Sequence, residues 1–349
     1  MKLEDFDYTL PQELIAQQPL DRRDTSRLMV LGREKQTIEH RSFADLPAYL
    51  RPGDVLVAND TRVIPARLYG RKETGGWVEL FLLKPVSAEP GRAHVWECLI
   101  KSKRCIEPDM RVVFDSSLSA RVLDRTDDEA WRVCLACEGE LHEVLQRLGI
   151  TPLPPYIRRQ RGAEAGCDRQ RYQTVYAARD GAVAAPTAGF HFTPELIETL
   201  RQSEVEIVFV TLHVGYGTFQ PIREDIVERH TMHTEALAVS PETADAVNRA
   251  RAQKRRVIAV GTTSTRVLES MTDEQGMLRS GEGSTGIFIY PGYRFKALDG
   301  LITNFHVPKS SLLLLVSAFA GRDFILQAYG QAIAQRYRFF SFGDAMLIV

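Results

Sequence analysis

The sequence predicts an α/β protein: a larger α/β domain with a mainly buried sheet, carrying an inserted small antiparallel β-barrel. Three observations lead there. The second half alternates capped helices with apolar runs such as Val205–Val214 and Val257–Val260, the kind of strand buried on both faces. Between residues 62 and 135, by contrast, short strand-like runs are separated by turn residues, as in a compact antiparallel barrel or sandwich. A chain of 349 residues is also long for a single hydrophobic core.

Taken in order, Phe6, Tyr8 and Leu10 alternate, and Pro11 opens a short helical stretch through Gln17. Arg22, Arg23 and Arg27 follow in a loop, and Arg27–Leu31 reads as a strand. Pro52-Gly53 turns into a short apolar strand, Val55–Val57, that stops at Asn59-Asp60. The barrel runs are Arg62–Arg71, Trp77–Leu83, His94–Lys101, Arg111–Asp115, Ala120–Leu123 and Trp131–Leu135. Gly75-Gly76, Pro90-Gly91, Pro108-Asp109 and Asp127-Asp128 separate them. Leu141, Val144, Leu145 and Leu148 then recur at helical spacing, and Gly149 closes that helix. Pro152-Leu153-Pro154-Pro155 continues neither helix nor sheet and reads as a hinge. The expected domains are therefore 1–58 with 152–349 for the α/β unit, and 59–151 for the inserted barrel.

Beyond the hinge, Thr193-Pro194 supplies an N-cap and a proline at the first helical position, and the helix runs to about Gln202. Ser240-Pro241 repeats that cap. Val257–Val260 leads straight into Gly261-Thr262-Thr263-Ser264-Thr265-Arg266 and another helix. Strands over Phe288–Tyr290 and Leu301–Phe305, helices over Ser310–Ala320 and Phe324–Arg336, and a final strand near Phe339–Ile348 complete the pattern.

Composition narrows the class. A hydrophobic fraction of 44% with 26% charged residues is that of an ordinary globular protein. The longest apolar run, Leu312–Ala320, is too short to span a bilayer, and the acidic N-terminal residues do not resemble a signal peptide. Five cysteines, an odd and sparse number, favour a reducing, cytoplasmic setting. Cys134 and Cys137 form a lone C-x-x-C inside a strand run and read as structural rather than zinc-binding. A net charge of -1 leaves a nucleic-acid partner open, because only the face touching phosphate must be positive.

Four of the eight histidines (His191, His213, His230 and His233) fall between Val183 and Glu235, the first two beside small-residue turns at the edge of regular structure. His213 ends a buried strand, the usual place for a ligand site in an open α/β sheet, although a satisfied core-edge histidine fits equally. Gly215 and Gly217 allow a tight turn or close backbone approach there. His230-x-x-His233-x-Glu235 lacks a metal-site pattern, so its histidines are read as acid or base candidates and no metal is expected. The strand-to-helix turn at Thr262, Thr263, Ser264 and Arg266 favours an anion through exposed amides and the helix dipole; a merely well-capped helix is the plain alternative. Its pattern matches neither nucleotide-binding glycine motif. Asn304 and His306 mark a similar turn. Arg158, Arg159, Arg161, Arg169 and Arg171, flanked by Tyr156 and Tyr172, and Lys101, Lys103 and Arg104 in the barrel, suit phosphate contact and base stacking, or else a solvated loop.

Eight longer stretches appear in fixed order: NDTRVIPARL (Asn59–Leu68), LPPYI (Leu153–Ile157), YQTVYA (Tyr172–Ala177), AAPTAGFHF (Ala184–Phe192), VTLHVGYGTFQP (Val210–Pro221), VIAVGTTSTR (Val257–Arg266), LITNFHVPKSS (Leu301–Ser311) and YRFFSFGDAM (Tyr337–Met346). Together they span nearly the whole chain, which resembles the S-adenosylmethionine:tRNA ribosyltransferase-isomerases of queuosine biosynthesis. Phe190, Tyr216 and Lys309 stand where that family usually carries leucine, alanine and often an acidic residue. The resemblance implies transfer of the ribosyl group of S-adenosylmethionine, a consumed co-substrate, to the aminomethyl group of a 7-deazaguanine at the tRNA wobble position. The product is epoxyqueuosine, released with adenine and methionine.

Such a reaction needs a base beside the sulfonium, an acid for the departing adenine, an anion site for the methionine carboxylate, and carboxylate or aromatic neighbours for the sulfonium. His191, His213, His230, His233 and Glu235 are the implied catalytic candidates. Gly215, Tyr216, Gly217, Thr218, Phe219, Thr262, Thr263, Ser264, Arg266, Asn304 and His306 would meet S-adenosylmethionine. Asn59, Asp60, Arg62, Arg67, Lys101, Lys103, Arg158, Arg159, Arg161 and Tyr172 would meet tRNA. The histidine segments and Thr262–Arg266 are expected to converge at one sheet edge, in a monomer that uses no cofactor. Two other readings stand beside this one: a non-catalytic tRNA-binding protein, and a conventional methyltransferase, whose glycine-rich nucleotide loop is absent.

Overall fold

The computed structural model describes residues 1–87, 94–126, 130–160, 166–215, 217 and 222–349. The chain divides into two compact units, one of Met1–Thr61, Gln173–Arg179 and Ala185–Val349, the other of Arg62–Tyr172 and Asp180–Ala184. In chain order the strands are β1 (Arg27–Gly32), β2 (Thr37–Ser42), β3 (Val55–Asn59), β4 (Thr61–Val63), β5 (Arg67–Lys72), β6 (Trp77–Ser87), β7 (His94–Ser102), β8 (Arg111–Val113), β9 (Leu118–Arg125) and β10 (Trp131–Cys137). They continue as β11 (Arg179–Ala182), β12 (Glu206–Leu212), β13 (Glu235–Val239), β14 (Val257–Val260), β15 (Gly281–Thr285), β16 (Gly300–Asn304) and β17 (Ala345–Ile348). The helices are α1 (Leu141–Leu148), α2 (Asp168–Arg171), α3 (Pro194–Gln202), α4 (Pro241–Ala252), α5 (Gly261–Met271), α6 (Ser311–Ala320) and α7 (Arg322–Ala334). No single helix among the described residues is long and apolar enough to cross a membrane.

The larger unit is built on a nine-stranded sheet in the order β15-β13-β12-β3-β14-β16-β17-β1-β2. Its centre, β12-β3-β14-β16, is parallel. Leu56, Ala58, Ile258, Val260, Ile302, Leu28, Val30 and Leu347 line one face and pack against Phe43, Leu46 and the α3 residues Leu196, Ile197 and Leu200. Alternation turns Val55, Val57, Val257, Ala259, Leu301, Met29 and Met346 to the opposite face, and these are also fully buried. Covering both faces is what a parallel sheet requires, which is why these strands are uninterrupted apolar runs. The helices start where their caps dictate: the hydroxyls of Thr193, Ser240 and Ser310 accept from the amides of Leu196, Thr243 and Leu313 at 3.1–3.2 Å.

The smaller unit is a closed six-stranded barrel, β10-β7-β6-β5-β8-β9, with every pairing antiparallel. Leu68, Val78, Leu80, Leu82, Cys98, Val112, Val122 and Val133 fill its interior at alternate positions. The expected fold class is the observed one.

Several boundaries moved, each for a physical reason. The expected strand Arg62–Arg71 splits into β4 and β5 at Pro65, which cannot donate to a ladder. The expected helix from Pro11 is only a 3₁₀ turn, Gln12–Leu14. Strand character near Phe288–Tyr290 lies instead at β15, and the last strand is confined to β17. β2 is polar-rich and β13 is only five residues long, directly before the Ser240-Pro241 cap, so neither carries a strong strand pattern. Gly149 ends α1 in an extended conformation (φ −78°), not a left-handed one. Glycine is required there because a Cβ would lie 2.0 Å from the Pro65 carbonyl oxygen.

Candidate active site

Because β12, β3, β14 and β16 run parallel, their C-terminal ends share one sheet edge. The antiparallel strand β13 begins there, since its residues Leu237 and Val239 pair with Leu212 and Val210. His213, Asn59–Thr61, Gly261–Arg266, Asn304–His306 and Glu235 therefore belong to the same edge.

His213 follows β12 and is half buried. Its Nδ1 lies 2.8 Å from Thr61 Oγ1. Thr61 Oγ1 also lies 3.5 Å from the Arg179 carbonyl, so one hydroxyl touches both the imidazole and the backbone. Asn59 locks this corner: its amide bonds both backbone groups of Leu212, at 3.0 and 3.1 Å, and accepts from Thr61 N at 3.1 Å. Asn59, expected to meet RNA, is thus wholly buried and presents no surface to it. Thr61 lies inside the NDTR stretch, but a buried hydroxyl facing a histidine leaves no signal in a sequence.

The second cluster is an ion pair. Glu235, at the start of β13, bonds Arg266 Nη1 through Oε2, and its Oε1 accepts the Gly215 amide at 2.7 Å. Both side chains are only 5% exposed, so each charge depends on the other for compensation. Arg266 is held there by α5, which begins directly after β14 because Gly261 adopts φ +91°. In the first turns of α5 the Ser264 and Thr265 hydroxyls bond back to the carbonyls of Val260 and Gly261. Thr262 and Thr263 are also buried.

His191 forms a third cluster. Its Nε2 accepts from Asn304 Nδ2 at 3.2 Å, and Nδ1–H donates to Ser26 Oγ at 2.7 Å. Ser26 passes its own proton to the Arg23 carbonyl. Asn304 also donates to the Phe340 carbonyl and accepts from Thr187. Burial, reinforced by Arg23, pulls the His191 pKa down to about 3. His306 is also buried, its Nε2 2.7 Å from Thr303 Oγ1 and its backbone held by Tyr8 and Tyr329, and its pKa falls to about 3 by burial alone. Both rings are therefore neutral near pH 7 and bonded within the protein, an arrangement that suits positioning better than proton transfer.

These two rings predict an acid limb. Their folded values lie below the unfolded value near 6.5, so the unfolded chain binds protons that the fold refuses. Stability is complete above that value and declines as pH falls from 6.5 toward 3, by up to about 1.4 kcal/mol per pH unit for each histidine. Urea unfolding between pH 7 and pH 4 should show the decline, and His191→Gln should flatten it. A variant with the wild-type slope would refute the assignment.

His230 is partly buried edge-on to Phe288, and burial with the neighbouring His233 lowers its pKa. His233 is exposed and packs on Gly217, whose added Cβ would come within 2.6 Å of the ring. Tyr216, Thr218, Phe219 and Arg161 lie outside the described residues. Of the departures noted above, Lys309 pairs with Asp7 at 2.7 Å, and Phe190 packs on Phe342 with Arg23 over its ring.

In the smaller unit, Arg67, Arg158 and Arg159 come together around a cavity of about 300 Å³ that Tyr69, Thr151, Leu153 and Asp168 also line. Arg158, Arg62, Lys101 and Lys103 are exposed. Tyr172, expected to stack on a base, is wholly buried. In the larger unit, Asp60 accepts from Thr211 Oγ1 at 2.6 Å.

Comparison with known proteins bears on this arrangement. The family model described as "Queuosine biosynthesis protein" matches residues 3–348. The chain belongs to this family. Among its relatives, the S-adenosylmethionine:tRNA ribosyltransferase-isomerases of Geobacter metallireducens and Symbiobacterium thermophilum are 53% and 54% identical, with 100% of each chain covered. The crystal structure of S-adenosylmethionine tRNA ribosyltransferase from Thermotoga maritima is 38% identical, with a TM-score of 0.55 over 99% of this chain and 100% of that one. A family match from one end to the other takes in both the sheet edge and the barrel.

Proposed function

We propose that this chain is a transferase and isomerase that moves the ribosyl moiety of S-adenosylmethionine onto the aminomethyl group of 7-aminomethyl-7-deazaguanine at the tRNA wobble position. Epoxyqueuosine-tRNA, adenine and methionine are the products. The observation that carries this is identity above 50%, over their whole lengths, to relatives bearing that enzymatic name. The geometry supports it with a buried ion pair, a half-buried histidine and a helix N-terminus on one sheet edge. His213, half buried with Nδ1 held by Thr61, is the candidate proton carrier, and His191 with Asn304 holds the edge together. The wobble base must leave the anticodon loop to be modified. Of the residues lining the cavity, Arg158 and Tyr69 suit RNA, while Arg159 is paired with Asp168 and Arg67 with Glu79. The enzyme works as a cytoplasmic monomer.

Incubating the protein with S-adenosylmethionine and tRNA carrying the aminomethyl base tests this reading. Free adenine is expected, in equal amount with and without EDTA. A methyltransferase would release S-adenosylhomocysteine, and a tRNA-binding protein nothing. Chelation-sensitive turnover restored by one divalent ion would show that a metal takes part.

A further inference from the structure

Arg266 is a buried arginine with half of its guanidinium unused. It is 4% exposed, and Glu235 engages Nη1. Nε and Nη2 are sealed from solvent and have no hydrogen-bond partner among the described residues. Those two N–H groups form one edge of the planar group, the fork that holds a carboxylate through both oxygens. The chain already uses this edge elsewhere: Arg159 holds Asp168 through Nε and Nη2 at 2.8 and 2.9 Å. Glu235 engages only Nη1 and holds the guanidinium in place, so the Nε–Nη2 edge is available to another acceptor. Thr263 lies three residues earlier, on the same face of α5. Its buried hydroxyl also lacks a partner among the described residues. Three buried donors in one place, two of them charged, are costly to leave unmet, so an anion is the partner they fit. The N-terminal end of α5 adds a favourable dipole.

We infer that the Nε–Nη2 edge of Arg266 receives the α-carboxylate of the methionyl portion of S-adenosylmethionine. Thr263 is a neighbouring donor, and Glu235 is the residue that positions Arg266. The inference rests on the proposed reaction, which supplies this carboxylate, and it separates two residues by role. Arg266 touches the ligand; Glu235 acts through Arg266.

Calorimetric binding of S-adenosylmethionine and of its decarboxylated analogue, which keeps the sulfonium and adenosine, tests it without turnover. Wild type should prefer the carboxylate-bearing compound by about 100-fold, the worth of a charged bidentate pair. In Arg266→Met that preference should shrink to within about 3-fold, while the analogue binds no more weakly than to wild type. Glu235→Gln should reduce the preference part-way, an effect that general loosening of the fold would not produce, because loosening weakens both compounds alike. Should Arg266→Met fail to fold with Glu235 left charged, the double variant Arg266→Met/Glu235→Gln removes both charges and carries the same comparison. A preference undiminished in the Arg266 variants, or absent from wild type, overturns the inference. Adenine release with an unchanged preference would sink the carboxylate site and leave the reaction standing. A preference that follows Arg266 without adenine release would do the reverse.

Discussion

Glu235→Ala is expected to destabilise the larger unit by about 3–5 kcal/mol, because it strips the compensating charge from a buried guanidinium. The change has a second part: the Gly215 amide loses its carboxylate acceptor. Desolvating an arginine is tolerable only while a partner repays it, and Arg266 has Glu235 as its one bonded carboxylate among the described residues. Urea unfolding at pH 7 would measure the loss. Glu235→Ala/Arg266→Met should recover much of it, since removing both charges leaves neither stranded. A single variant within about 1 kcal/mol of wild type, well below the range for a broken buried pair, would mean that water or movement reaches Arg266.

His213→Ala should lower turnover by about 10²–10⁴-fold, the range for losing a positioned acid or base, with tRNA binding and the unfolding midpoint little changed. The fold is spared because Asn59, not His213, ties the end of β12 to the end of β3. Thr61→Val offers an intermediate case: it keeps shape but removes the hydroxyl that fixes Nδ1. Its turnover should fall less than that of His213→Ala. Single-turnover adenine release separates the outcomes, and wild-type rates in His213→Ala would remove this histidine from the chemistry.

The architecture was legible where local rules decide it. Thr193-Pro194 and Ser240-Pro241 begin helices because a hydroxyl cap and a proline act within one turn, and the barrel shows in alternation and turn residues alone. The chemistry was legible by residue type and much less by role. Glu235 and Arg266 stand thirty-one residues apart in sequence, and the strand order β13-β12-β3-β14, with α5 following β14, joins them. His191 and His213 look alike in sequence, beside small-residue turns. Burial then divides them, leaving the first neutral between Ser26 and Asn304 and the second half open. By residue type Asn59 and Tyr172 suit RNA, and burial, a property of the finished fold, removes both.

The strand order also bears on how the chain is made. β3 lies between β12 and β14, and β1 pairs with β17, Leu28 opposite Ala345. During synthesis β3, and the flank of β1 not covered by β2, therefore leave the ribosome well before their partners, whereas the barrel strands pair among themselves. Apolar segments such as Val55–Ala58 must wait through some two hundred residues of translation before β14 closes over their flank. Long-range pairings of this kind slow folding and expose sticky edges meanwhile. β17, four residues long, is the clasp that joins β1 and β2 to the rest of the sheet, so that side of the sheet cannot be completed until β17 has been made.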